Sequence, residues 1–128
     1  MLLAIKSDKY VQVWDCKDFA EKASSYDHSN IEKCKSDFLN ISKPTREFEF
    51  EVGGKKPSPT CCSWLPTDNN LFAIGYSSGH VAFFNYQTGQ LQSSMEVDGE
   101  VVCLTAHEFQ STVMIGQYDG KVTIYDFT

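Results

Sequence analysis

The sequence predicts an all-β fold of stacked sheets, each a blade of four antiparallel strands. Two stretches superimpose residue on residue: Leu71-Phe-Ala-Ile-Gly-Tyr-Ser-Ser-Gly-His-Val-Ala-Phe-Phe-Asn85 and Thr112-Val-Met-Ile-Gly-Gln-Tyr-Asp-Gly-Lys-Val-Thr-Ile-Tyr-Asp126. A third, clipped copy opens the chain as Leu2-Leu-Ala-Ile-Lys-Ser-Asp-Lys-Tyr-Val-Gln-Val-Trp-Asp15. Each is an apolar run rich in β-branched and aromatic residues, a tight turn, and a second run that ends in an aromatic followed by Asn or Asp. The runs Leu71-Phe-Ala-Ile74 and Val81-Ala-Phe-Phe84 are apolar at every position instead of alternating. Strands buried on both faces have that pattern, as when sheets pack face to face.

Taken in order, strands are expected near Leu2–Ile5 and Val11–Trp14 from the clipped copy. Around the second copy they fall near Glu47–Val52, Thr60–Leu65, Leu71–Tyr76 and His80–Asn85, and around the third near Leu91–Val97, Val101–Thr105, Thr112–Gln117 and Lys121–Phe127. Ser78-Gly79 and Asp119-Gly120 suit hairpin turns, because glycine reaches positive φ without a Cβ clash. From Phe84 to Tyr125 the spacing is 41 residues, within the roughly 40–45 of one four-stranded propeller blade. The 70 residues from Trp14 to Phe84 imply an insertion of one further segment. That segment is 17–45: Ser29-Asn-Ile-Glu32 has capping-box spacing, and Ile31, Cys34, Phe38 and Leu39 follow at helical spacing. The organisation expected is therefore the end of one repeat at 1–16, a partly helical insertion at 17–45, and repeats at 46–86 and 87–128.

The formal charge is -6. Ten of the eleven Lys and Arg and ten of the seventeen acids lie in residues 1–56, so the remainder carries the whole excess with Lys121 as its one base. Without a basic footprint, neither nucleic acid nor an anionic membrane is expected as a partner. No apolar run approaches the roughly 18 residues that cross a bilayer as a helix, and Met1 to Ile5 is too short for a secretion signal. A cytoplasmic setting follows, in which Cys16, Cys34, Cys61, Cys62 and Cys103 stay reduced, the last three as small core residues.

Trp14-Asp15, Ser78-Gly79-His-Val-Ala-Phe-Phe-Asn85 and Asp119-Gly120-Lys-Val-Thr-Ile-Tyr-Asp126 resemble the ends of WD repeats. The resemblance to WD-repeat β-propellers covers 1–15 and 46–128, and implies that the first strand of each repeat is the outer strand of the preceding blade. The sequence departs from the family pattern: the Trp becomes Phe84 and Tyr125, the turn Asp becomes Ser78, and no Gly-His pair precedes Thr60 or Val101. Aromatic and aliphatic packing must then replace the usual polar staple. The ending Phe84-Asn-Tyr-Gln-Thr-Gly89 is similar to striatin-like C-terminal propellers, which implies scaffolding of a type 2A protein phosphatase with its kinase clients.

Propellers close with four to eight blades, so two and a half cannot close. The chain is expected to be a truncated part of a longer protein or of a multi-subunit assembly. Alone it would expose faces bearing Phe72, Ile74, Phe83, Val113 and Ile124.

No catalytic, metal or cofactor constellation stands out. His28, His80 and His107 adjoin no nucleophile elbow; Cys103 and His107 are four apart on one strand; Cys61-Cys62 has no second pair; Gly53-Gly-Lys-Lys56 lacks P-loop spacing. Function is expected on the connecting loops instead. Ser7 to Lys9, Gly53 to Pro59, Ser77 to Gly79, Asp98 to Glu100 and Tyr118 to Gly120 should share one rim, offering Lys9, Lys55, Lys56, Asp98, Glu100 and Asp119 to a protein partner. The insertion would offer Ile31, Phe38 and Leu39. The leading expectation is a non-catalytic scaffold; a subunit of a membrane-trafficking coat or tether, and a piece of a propeller enzyme, are the alternatives.

Overall fold

A computed structural model describes residues 2–5, 10–14, 46–66 and 70–126. Ten strands follow in chain order: β1 Leu2–Ile5, β2 Val11–Trp14, β3 Arg46–Phe48, β4 Pro59–Trp64, β5 Leu71–Tyr76, β6 His80–Asn85, β7 Leu91–Glu96, β8 Val101–Ala106, β9 Thr112–Gln117 and β10 Val122–Asp126. They form three antiparallel sheets, β1-β2-β3, β4-β5-β6-β7 and β8-β9-β10. The strand that opens each repeat joins the preceding sheet: β3 pairs with β2, and β7 with β6. The strand expected at Glu47–Val52 is shorter than that, because the chain leaves β3 at Phe48 and Val52 turns back to bridge Lys55. The helical expectation for 17–45 lies outside the described residues.

The central strands of the middle sheet, β5 and β6, are buried on both faces, and the two-residue period of a strand divides their side chains between them. Phe72, Ile74 and Tyr76 of β5, with Ala82 and Phe84 of β6, pack against Val11, Val13, Phe48 and Phe50. Leu71, Ala73, Val81 and Phe83 pack against Val101, Val113 and Ile115 of the third sheet. Every residue of β5 is therefore buried, which accounts for the unbroken apolar runs. Correspondingly, Phe72, Ile74, Phe83 and Val113 are covered within the chain, contrary to the expectation that they would be bare. Of that set only Ile124, 68% exposed, faces outward.

Aromatic rings fill the first of these two cores. The Phe48 ring meets Phe72 edge-on at 4.7 Å and Phe84 at 5.2 Å, while Trp64 meets Phe72 at 5.5 Å and Tyr86 at 6.0 Å. Edge-to-face pairs of this kind add about 0.5–1.5 kcal/mol each beyond area burial. In the second core Tyr125, at the position of Trp14 in the first copy, lies 5.7 Å from Phe83.

The β5–β6 and β9–β10 hairpins share one turn. Gly79 and Gly120 both have φ of 89°, and their amides donate to Tyr76 O and Gln117 O at 3.1 and 3.0 Å. Cysteine placement corrects one expectation: Cys61 and Cys62 are half-buried and free, but Cys103 is exposed, since it sits on the outward face of the third sheet.

Two outcomes follow for stability. Phe83→Ala empties a site buried between two sheets and should cost about 3–5 kcal/mol in urea unfolding, whereas Phe109→Ala, at a residue 81% exposed, should change stability by less than about 0.5 kcal/mol. Tyr76 has a buried hydroxyl with no hydrogen-bond partner among the described residues, and burial pushes its pKa up. Removing a buried, unpaired polar group relieves its desolvation, so Tyr76→Phe should unfold at equal or higher urea, by up to about 1 kcal/mol.

Candidate partner-binding rim

At one end of the sheets the connecting loops are joined through their backbones. Ser77 N donates to Ser58 O at 2.9 Å, Val97 N to Gly79 O at 2.8 Å, and Tyr118 N to Glu100 O at 2.9 Å. A Cβ on Gly79 would collide with the carbonyl oxygens of Val97 and Gly99, so the β5–β6 turn lies directly against the β7–β8 connection. The result is a ledge formed by the loops around Ser58, Ser77 to Gly79, Val97 to Glu100 and Tyr118 to Gly120, while Ser7 to Lys9 lie outside the described residues.

A polar network fixes its acidic end. Gln117, only 4% exposed, donates from Nε2 to Asp98 Oδ1 at 2.8 Å, and Lys121 Nζ donates to Asp98 Oδ2 at 2.5 Å. Thr123 Oγ1 donates to Gln117 Oε1 at 3.5 Å, and Lys121 Nζ is 3.8 Å from Asp119 Oδ2. The Asp119 carboxylate also accepts from Lys121 N at 3.1 Å, closing the β9–β10 turn. The bond from Gln117, followed by the bond and charge of Lys121, holds the Asp98 carboxyl below its ordinary range. In return the bond to Asp98 raises the Lys121 ammonium. A polar staple is thus present between the second and third sheets, built from Asp98, Gln117 and Lys121.

The residues expected to contact a partner separate into two groups. Asp98, Glu100 and Asp119 are exposed and gathered at this end. Lys55 and Lys56 are exposed at the other, where Lys55 closes the turn with Val52 and Lys56 Nζ lies 2.6 Å from Glu49 Oε2. That carboxylate raises the Lys56 ammonium. Lys9, Ile31, Phe38 and Leu39 lie outside the described residues.

Two residues that sequence reasoning did not single out belong to the ledge. Tyr118 is 80% exposed between Gln117 and Asp119, and Lys121 ties Asp98 to the β9–β10 turn. Both were visible as differences between the repeats, where Tyr118 stands opposite Ser77 and Lys121 opposite His80.

The opposite end is organised by His107, whose Nδ1 accepts from Phe109 N at 3.0 Å and Gln110 N at 3.1 Å. Beside it a hollow of about 470 Å³ opens among Thr105, His107, Gln110, Met114 and Ile124. Among the described residues no group of three or more His, Cys, Asp or Glu is arranged to hold a metal ion.

This arrangement is similar to that of a solved β-propeller domain. The chain superimposes on the crystal structure of the Cps50 (Swd1) β-propeller domain of Myceliophteria thermophila with a TM-score of 0.68 and 12% sequence identity, over 98% of this chain and 32% of that one. It superimposes on a chain of the mitotic checkpoint complex with a TM-score of 0.63 and 18% identity, over 94% of this chain and 31% of that one. The fold is that of a β-propeller. The chain spans about a third of each of these structures. No protein-family model matches the sequence, and no curated protein matches it.

The Asp98 network carries a pH signature. Its carboxyl is depressed on folding from 3.8, so its contribution is present above the unfolded-state value and is lost as pH falls through the lower folded-state value. Asp98→Asn should therefore unfold at lower urea than wild type at pH 7, and the two should coincide at about pH 2. A gap that persists undiminished in acid would contradict the assignment.

Proposed function

We propose that this protein is a non-catalytic β-propeller scaffold that binds other proteins along the ledge formed by the β5–β6, β7–β8 and β9–β10 connections. The observation that carries this reading is Tyr118, an aromatic side chain 80% exposed on a loop whose backbone is tied to Glu100 and whose neighbours are fixed by the Asp98–Gln117–Lys121 network. A large, pre-positioned aromatic loses little side-chain entropy on burial, which is why tyrosines anchor interfaces. Glu100 and Asp119 flank it, so the partner segment is basic and carries an apolar residue to cover the ring. The two similar structures lend support at the level of architecture, and one of them was solved within the mitotic checkpoint complex.

The finer reading, scaffolding of a phosphatase with its kinases, rests on the Phe84-to-Gly89 ending. Asn85 Oδ1 accepts from Gln87 N and Thr88 N at 2.9 and 3.0 Å, and Gly89 takes φ of 74°. Arg46 Nη2 donates to Gln87 O at 2.7 Å, joining this turn to β3 of the neighbouring sheet.

Affinity purification of the full-length protein tests the proposal in two forms, the double variant Tyr118→Ala, Glu100→Lys and a deletion of residues 17–45. Loss of partners of tenfold or more in the double variant, with recovery unchanged in the deletion, is the expected result; at 1.4 kcal/mol per factor of ten it corresponds to one lost anchor. Partner loss confined to the deletion would move the site off the ledge.

A further inference from the structure

In the β8–β9 loop an imidazole does what an amide oxygen does elsewhere in the same chain. In the β6–β7 connection, Asn85 Oδ1 accepts from the backbone N–H groups two and three residues ahead, Gln87 at 2.9 Å and Thr88 at 3.0 Å. In the β8–β9 connection, His107 Nδ1 accepts from the groups two and three residues ahead, Phe109 at 3.0 Å and Gln110 at 3.1 Å. Asparagine is the ordinary residue for such a local cap. The two caps share one geometry and differ in one property: a ring nitrogen takes up a proton at physiological pH, and an amide oxygen does not.

Nδ1 can accept these two bonds only in the neutral ring that bears its proton on Nε2, because both nitrogens of the charged imidazolium are donors. Protonation and the cap therefore exclude each other. His107 is exposed, so solvent protons reach it. Among the described residues, the ionisable groups placed around it are Glu108 in the loop itself and Tyr125 and Asp126 of β10. The last two adjoin it through β9, where Tyr125 pairs with Val113 and Asp126 with Thr112, whose carbonyl receives the His107 N–H. The two carboxylates attract a charged ring, so they act with protonation and not against it.

The other ties of the loop do not depend on the ring. His107 N donates to Thr112 O at 2.9 Å, and Thr112 N to Gln110 O at 2.8 Å. What the cap fixes is the tip, where Phe109 is 81% exposed and its ring lies edge-on to the imidazole at 6.4 Å.

We propose that His107 is a pH-responsive latch on this loop. With the ring neutral, Phe109 is presented to solvent in one orientation. When Nδ1 takes a proton from solvent, the Phe109 and Gln110 N–H groups lose their acceptor and the tip is released, while the strands on either side stay paired. Protonation of histidine is a general way to bias such a two-state segment. The sign follows from the acceptor role: the closed tip belongs to neutral and basic pH and is lost in acid. The loop lies at the opposite end of the sheets from the ledge, so this inference stands without the ledge.

Hydrogen exchange of the full-length protein reads the latch at the amides of Phe109 and Gln110. Labelling runs from milliseconds to seconds at about pH 8 and about pH 5.5, a span over which histidine changes charge, with rates corrected for the intrinsic pH dependence of exchange. At the higher pH these amides should exchange at least about fivefold more slowly than in His107→Ala, and at the lower pH the two proteins should coincide. Gln87 and Thr88, under the Asn85 cap, should keep the same protection at both values, and His107→Asn should carry that constancy to Phe109 and Gln110. Wild-type protection unchanged in acid, an alanine variant as protected as wild type at the higher pH, an asparagine variant that opens in acid, or Gln87 and Thr88 opening in step with Phe109 would each overturn the proposal.

Discussion

A strand that is covered on both sides must be apolar, and β5 and β6 meet that demand over Leu71–Ile74 and Val81–Phe84. The two-residue period sends Phe72, Ile74 and Phe84 into one core and Ala73, Val81 and Phe83 into the other. Each outer sheet therefore owes its position to the middle one. The hairpin turns at Gly79 and Gly120, the matched bulges before Cys61 and Cys103, and the ledge of joined loops all depend on sheets held in register by that shared burial.

Much of this was legible in the chain itself. A continuous apolar run in two aligned copies identified strands buried on both faces, and Ser78-Gly79 and Asp119-Gly120 marked their turns. The assignment of β3 and β7 to the preceding sheets followed from the resemblance to WD repeats. What was misjudged depended on tertiary neighbours. Phe72 and Phe83 look liable to exposure when two and a half repeats are counted, but the two outer sheets cover both faces of β5 and β6. Cys103 reads as a core residue beside Val101 and Leu104, yet the bulge between Val101 and Cys103 turns it outward. The strand expected through Val52 stops at Phe48, where pairing with Val11 ends.

The ledge was partly legible for a different reason. Its loops could be grouped from strand alternation alone, and Asp98, Glu100 and Asp119 do gather there. Their chemistry could not be read from spacing, because Asp98 is joined to Gln117 and Lys121 across 19 and 23 residues of chain. The family pattern drew attention to a missing His and Trp and away from Gln117, which performs the same kind of tie with an amide. Comparison of the copies with each other was the better guide, since Tyr118 and Lys121 stand where the sister repeat has Ser77 and His80.

Native-state hydrogen exchange measures the central claim most directly, because amides that open only on global unfolding mark the most enclosed part of a structure. The account predicts that the amides of Phe72–Tyr76 and Val81–Phe84 exchange last and together, with those of β10 exchanging sooner. Exchange of β5 and β6 ahead of β9 and β10 would contradict it, since the middle sheet would then not be the enclosed one.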